Sequence, residues 1–289
     1  MINILVTGYK GYIGNHLYKN LKGLGYKVDG IDLKDGEDII YCLPNKNYDY
    51  VFHLAALPSV SYSVKNPSYT MRSNVLSTSV LLEWALSHNV KCVVFSSSAA
   101  VLGDGLGPKS PYGLHKKVSE MECKLYSDLY GLSTVCLRYF NVYSEDQKYG
   151  GAYSSVISAW MEMVRRGKPL RIDGDGEQTR DLIHVKDIID ANIFCMQSVE
   201  SGKEWKGECL EVGTGHAVSI NYVKNLVDKH SKTAWIHSKS RPGDIKKSIA
   251  DNSELIKIGW EPMISIEEGI ERCFGEKMNK KRSYYVGGS

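Results

Sequence analysis

The chain has 289 residues, 43% of them hydrophobic and 24% charged, with a formal net charge of +3. That length carries one large core or two modest lobes, and the composition excludes a disordered, fibrous or repeat protein. The weak charge lacks the strongly basic footprint that nucleic acid requires, so no nucleic-acid partner is expected.

The opening MINILVTGYKGYIG has no basic segment followed by a long apolar run, and no stretch of roughly 18 apolar residues follows, so no membrane association is expected. The seven cysteines are odd in number and contain no CxxC pair. They read as reduced thiols of a cytoplasmic protein rather than a metal knuckle or a disulfide framework, and no metal site is expected.

In chain order, Asn3–Thr7 is an apolar run that ends at Gly8, and residues 15–24 carry Leu17, Leu21 and Leu24 at the spacing of one helix face. Strands follow at 27–32 and 50–54, a helix at 71–87, a strand at 91–96, a helix at 112–130 and a strand at 134–138. Such alternation predicts an α/β fold with a Rossmann-type, doubly wound parallel sheet. After Asn141 the pattern loosens into a Gly-rich connection at 149–152, a helix ending at Arg166 and the turn-rich DGDGEQTRD, where a smaller second lobe is expected. A helix at 187–198 and a strand at 209–213 are able to return to the first sheet. The lobes are therefore expected to interleave: 1–141 with 182–216, then 142–181 with 217–275, and a tail at 276–289.

Gly8, Gly11 and Gly14 stand between the first strand and the first helix, where absent side chains permit a tight turn and close approach to a pyrophosphate at the helix N-terminus. Asp32, at the end of the second strand, suits a ribose diol and repels a 2′-phosphate, which points to NAD; the adjacent Lys34 is the one base able to offset that repulsion.

Tyr112 and Lys116 are four residues apart in a predicted helix, so both emerge on one face. An ammonium near a phenol is expected to lower its pKa from about 10 and make Tyr112 a general base. The preceding strand ends in Ser96, Ser97 and Ser98, at the carboxyl edge where open parallel sheets bind ligands.

The motifs VTGYKGYIG, HLAALPSVSYSVKNP, NVLSTSVLLEWA, FSSSAAVLG, SPYGLHK, RYFNVYS, GDGEQTRDLIHVKD and RPGDIKKSIAD together resemble the extended short-chain dehydrogenase/reductase family, and within it the nucleotide-sugar 4-epimerases acting on UDP-N-acetylglucosamine or UDP-glucose. The resemblance runs from Ile2 to about Phe274. It implies Ser98, Tyr112 and Lys116 as the catalytic set, and NAD, tightly held and recycled, as cofactor. Cofactor contacts are implied at Gly8, Gly11, Tyr12, Ile13, Gly14, Asp32, Leu33, Asp38, Ile39, Leu54, Ala55, Ala56, Asn74, Ser96, Tyr112, Lys116 and Tyr139. A UDP-sugar substrate is implied, contacted by Ser98, Asn141, Val156, Arg180, Arg241, Asp244 and Ser248. Residues 71–87 and 112–130 are implied to form a four-helix homodimer interface.

Ala99 and Ala100 stand where the family's dehydratases carry an Asp-Glu pair and its decarboxylases an acid, so epimerisation fits better. Ser248 is small where a tyrosine restricts relatives to unmodified hexoses, and the segment 151–157 resembles epimerases of UDP-N-acetylhexosamines, which points to UDP-GlcNAc/UDP-GalNAc, with UDP-Glc/UDP-Gal as further substrates. Leu102 replaces the usual tyrosine of the turn, Asp173 replaces an aromatic or asparagine near the base, and only eight residues separate Gly103 from Tyr112. A decarboxylase, dehydratase or reductase of the same family, and a non-catalytic NAD-binding regulator, stand as alternatives.

Overall fold

Ile4, Leu5 and Val6 are each at most 1% exposed, so the first strand, β1 (Asn3–Thr7), has no solvent face. Strands covered on both sides read as continuous apolar runs, and β2 (Lys27–Ile31), β3 (Tyr50–His53), β4 (Cys92–Ser98) and β5 (Thr134–Tyr139) follow in the same unit of the chain. The computed structural model describes residues 2–150, 155–240 and 246–275. Beyond β5 its strands are β6 (Asn141–Tyr143), β7 (Leu170–Asp173), β8 (Thr179–His184), β9 (Lys206–Val212), β10 (Ala217–Ser219), β11 (Trp235–Ser238) and β12 (Lys247–Ser248).

The first unit comprises the described residues up to Tyr139, Ile188–Val212 and Ser253–Trp260. Its six-stranded sheet has the order β2-β1-β3-β4-β5-β9, every pair parallel. The strand order reverses between β1 and β3, and ligands of such sheets bind outside the carboxyl ends at that switch point. The helix Tyr12–Gly23 buries Gly14, Leu17 and Leu21. The helix Pro111–Tyr130 starts at Ser110, whose hydroxyl accepts from Gly113 N–H at 3.1 Å, and ends at Gly131 with φ of +70°. One core cluster joins Leu5, Val51, Leu81, Leu82, Trp84 and Phe95.

The helix expected at 71–87 begins earlier and is interrupted. Pro67–Met71 leads into a π-helical turn, Arg72–Leu76, before the helix Ser77–Ser87. Such turns cluster at functional sites, and this one carries Asn74.

The second unit comprises Phe140–Asp187, Gly213–Asn252 and the described residues from Glu261 on. Here β10, β8 and β12 lie side by side, β6 also pairs with β8, and β11 pairs with β7. A separate core gathers Ile157, Trp160, Leu170, Ile172, Val223 and Phe274. The boundaries differ from the sequence expectation at residues 140–141, 182–187, 213–216 and 253–260. Pairing of β8 with β6, β10 and β12 carries residues 182–187 and 213–216 into this unit, while the helix Ser253–Lys257 touches β9 and joins the first.

Candidate active site

The glycine loop takes its shape from close backbone approach. Gly8 has φ of +71°, and a Cβ on it would lie 2.7 Å from the Ala55 nitrogen; a Cβ on Gly14 would lie 2.1 Å from the Gly8 oxygen. No residue with a side chain fits either place. Gly11 begins the helix Tyr12–Gly23 without a side-chain cap, and Asn15 N–H makes the bond to the Gly11 carbonyl, so the Ile13 and Gly14 N–H groups stand ahead of the intrahelical ladder. That is a donor set for a pyrophosphate. Asp32, 8% exposed, accepts from Lys10 N–H and Lys34 N–H, both at 2.9 Å, and its remaining lone pairs suit a diol. The loop and this carboxylate thus fit a dinucleotide of the NAD type.

Leu54, Ala55 and Ala56 follow β3 at the switch point and are fixed by a directional hydrogen-bond chain. Ala55 N–H donates to Thr7 Oγ1 at 3.2 Å, and Thr7 Oγ1 lies 2.8 Å from His53 Nδ1. His53 Nε2 lies 3.1 Å from Thr78 Oγ1, which donates to the Asn74 carbonyl at 2.7 Å. Because the Thr78 proton is committed to Asn74, His53 donates from Nε2 and accepts at Nδ1 from Thr7. Burial, with the Lys116 charge adding to it, pushes His53 down to about 3, so it is neutral. Asn74 uses its amide to clamp Leu57, accepting from its N–H at 2.7 Å and donating to its carbonyl at 3.2 Å. Asn74 therefore positions the loop. The sequence marks Asn74 but not Thr7, His53 or Thr78.

Other residues implied for the cofactor divide between that surface and the core. Leu33 opens a short turn, Leu33–Asp35, and is exposed. Asp38 caps the helix Ile39–Cys42 and accepts from both terminal nitrogens of Arg72 at 3.1 Å, whereas Ile39 is a core side chain. Tyr139 is buried and donates to Asn192 Oδ1 at 2.9 Å.

Ser98 ends β4 and caps the turn Ala99–Val101, accepting from Ala100 N–H at 3.2 Å. Ser97 points elsewhere, donating at 2.7 Å to the buried Glu120, which pairs with Arg138 at 2.7 Å. Tyr112 enters its helix with its N–H on Ser63 Oγ at 3.0 Å. Burial pushes the Tyr112 phenol up to about 12, and a hydrogen bond from the Ser98 hydroxyl pulls against it. Lys116, 3% exposed, donates to the Ser96 carbonyl at 2.6 Å and lies 4.6 Å from the centre of the Phe95 ring. Burial pushes it down to about 8. The expectation that Lys116 lowers Tyr112 is not met in this structure: the ammonium is anchored on the Ser96 carbonyl, and burial raises the phenol with only Ser98 pulling against it.

In the second unit, Arg180 and Ser248 are register partners across β8 and β12, and Asn141 donates to the Asp181 carbonyl at 2.8 Å. Three of the residues implied for substrate are thus neighbours in one sheet. Asp181, fully buried, accepts from Thr214 N–H at 2.8 Å, Thr214 Oγ1 at 2.7 Å, Gly215 N–H at 3.0 Å and Ala250 N–H at 3.1 Å. Val156 opens the helix Val156–Arg165 and packs on that unit's core. Arg241 and Asp244 lie outside the described residues, as do most of segment 151–157 and the tail.

A switch-point glycine loop, an acid closing β2 and a Ser, Tyr, Lys set at the end of β4 define a dinucleotide-dependent enzyme of the extended short-chain dehydrogenase/reductase type. Residues 4–213 match the NAD dependent epimerase/dehydratase family, and the chain belongs to it. It is 31% identical to a UDP-glucose 4-epimerase of Halalkalibacterium halodurans, with 94% of each chain covered. Among solved structures it resembles a UDP-N-acetylglucosamine 4-epimerase of Methanobrevibacter ruminantium in complex with UDP-N-acetylmuramic acid, at 33% identity, TM-score 0.87, and coverage of 96% of this chain and 99% of that one. A UDP-glucuronic acid 4-epimerase of Bacillus cereus, in complex with UDP-glucuronic acid and NAD, is 29% identical with a TM-score of 0.82, covering 97% of this chain and 100% of that one. Among the described residues no helix is long and apolar enough to cross a membrane.

Proposed function

We propose that the chain inverts C4 of a UDP-sugar through a transient 4-ketone, retaining and recycling NAD, with UDP-GlcNAc/UDP-GalNAc as its preferred pair. The observation that carries this reading is the packing of the turn that Ser98 caps against the start of the helix that carries Tyr112, with Lys116 buried on the Ser96 carbonyl and no acid at Ala99 or Ala100. Tyr112 takes the proton of the 4-hydroxyl and later returns it, Ser98 holds the sugar oxygen, and Lys116 orders the site from the Ser96 side. When bound, NAD supplies the hydride acceptor and gives the hydride back. Ala99 and Ala100 leave no carboxyl group at the two positions after Ser98, so water elimination and decarboxylation fit less well than epimerisation.

Support for UDP comes from the relatives, and from Arg180 on β8 and Asn141 on the adjacent β6, residue types suited to a diphosphate. Support for the N-acetylated pair is the small, half-buried Ser248 next to Arg180. A homodimer is supported by Leu114, Met121, Leu125 and Leu129, all more than half exposed along one side of the helix Pro111–Tyr130; Leu81, fully buried, belongs to the core. Free thiols at all seven cysteines support a cytoplasmic site of action.

The deciding measurement is NMR of UDP-GlcNAc and UDP-Glc incubated with protein purified without added NAD. Interconversion of C4 epimers with no added reductant is expected, faster for UDP-GlcNAc. Stoichiometric dinucleotide reduction without inversion would instead identify a dehydrogenase or reductase, and no turnover at all a regulator.

A further inference from the structure

The glycine loop and the loop after β2 are stitched together by charged side chains that the reaction does not use. A Cβ on Gly30 would lie 2.4 Å from the Tyr9 ring, so glycine there lets that ring lie flat on β2. Tyr9 then donates its hydroxyl to Asp35 at 2.8 Å. Asp35 also forms an ion pair with the Lys10 ammonium. Lys34, from the other side, donates its ammonium to the Lys10 carbonyl at 2.8 Å. Lys10 and Lys34 are the same two residues whose N–H groups bind the Asp32 carboxylate.

Two lysines thus hold the Asp32 carboxylate by their backbone N–H groups, while their ammonium groups go to Asp35 and to the Lys10 carbonyl. Lysines so placed would neutralise a 2′-phosphate and erase the selectivity that Asp32 provides. Asp35 prevents this by balancing charge: Asp32 and Asp35 against Lys10 and Lys34 leave the ribose site without a net positive field. The hydrogen bond from Lys10 holds Asp35 below the usual carboxylate range, and Asp35 holds Lys10 above its own, so both stay charged at neutral pH.

We propose that Asp35 is a specificity-determining positioning residue, which sequesters Lys10 and so makes the ribose pocket reject a 2′-phosphorylated dinucleotide. The inference rests on the reading that this loop holds NAD. Removing one screened charge near a doubly charged 2′-phosphate should shift the ratio of the two dinucleotides by about five- to tenfold.

Full-length protein is equilibrated with equimolar NAD and NADP until occupancy is constant, and the bound dinucleotides are released by heat and separated by chromatography. The unaltered protein should release mainly NAD. Asp35→Asn should raise the NADP share by about five- to tenfold, and adding Lys10→Gln should return the ratio to its starting value. An unchanged ratio in Asp35→Asn, or a gain that survives Lys10→Gln, overturns the proposal while leaving NAD binding intact. Release of neither dinucleotide, or mainly of NADP, by the unaltered protein overturns the NAD reading and this inference with it.

Discussion

Gly113 faces Ala100 so closely that a Cβ on it would lie 2.4 Å from the Ala100 carbonyl oxygen. That approach seats the turn Ala99–Val101 against the start of the helix Pro111–Tyr130, and so brings Ser98 to the Tyr112 phenol. Glycine at 113 thus sets the separation of the two hydroxyls proposed for catalysis while touching neither.

Gly113→Ala should push the turn and the helix apart. A shift approaching 1 Å at reacting groups costs on the order of a hundredfold in rate, and overpacking costs about 1–3 kcal/mol of stability. The expected result is a fall in kcat far larger than the change in KM, together with a lower urea midpoint. Wild-type kcat in a folded Gly113→Ala protein would show that the separation is set elsewhere.

Lys116→Met should remove activity and raise stability at once. Burial depresses the folded-state pKa of Lys116 to about 8 from 10.5, so below pH 8 the folded protein carries a charge that the unfolded chain hydrates better. That cost is fully present at pH 7 and is relieved as pH rises from 8 toward 10.5. It amounts to roughly 3 kcal/mol at most, set against the loss of the bond to Ser96. Melting temperatures should place the variant above the unaltered protein at pH 7, with the gap closing by pH 10. A gap that widens with pH would contradict the sign.

Much of the first unit is legible in the sequence because its strands are covered on both faces and stand out as apolar runs, as β1 and β4 do. The proposed catalytic set stands out in the sequence because Tyr112 and Lys116 share a helix face and Ser98 closes a strand. What escapes is set by distance or shortness. β12 is only two residues, Lys247–Ser248, too short for any periodicity, although its pairing aligns Ser248 with Arg180. The π-helical turn at Asn74 depends on Thr78 and on Ser119, which also donates to the Asn74 carbonyl at 3.2 Å. His53 reads as the end of an apolar strand; its partners, Thr7 and Thr78, are 46 and 25 residues away.

His53→Phe should loosen NAD without abolishing folding. The ring volume is kept, but Thr7 and Thr78 each lose a buried partner, at about 1–3 kcal/mol together after relaxation. The loop from Leu54 to Leu57 then loses the chain that runs from Ala55 to Asn74. Protein purified without added NAD should retain several-fold less dinucleotide. Because His53 is held neutral down to about pH 3, the defect should be constant between pH 6 and 9. A retention defect that appears only near pH 6.5 would mean that the imidazole titrates there.

Asp181→Asn tests how the second unit holds its substrate residues. The carboxylate accepts four hydrogen bonds, from Thr214, Gly215 and Ala250, and sits between Arg180 and Leu182 on β8. An amide cannot accept at its nitrogen, so the Gly215 and Ala250 donors, both on Oδ2, face a donor when the amide places its nitrogen there. Unsatisfied buried donors cost about 1–3 kcal/mol each, less than additively. With Ala250 released, the strand carrying Ser248 loses one of its ties to β8 beside Arg180. The KM for the UDP-sugar should therefore rise about tenfold while kcat stays within about threefold, since the chemistry at Ser98 and Tyr112 is intact. A matching fall in kcat with unchanged KM would show that Asp181 serves the chemical step, not the grip on the nucleotide.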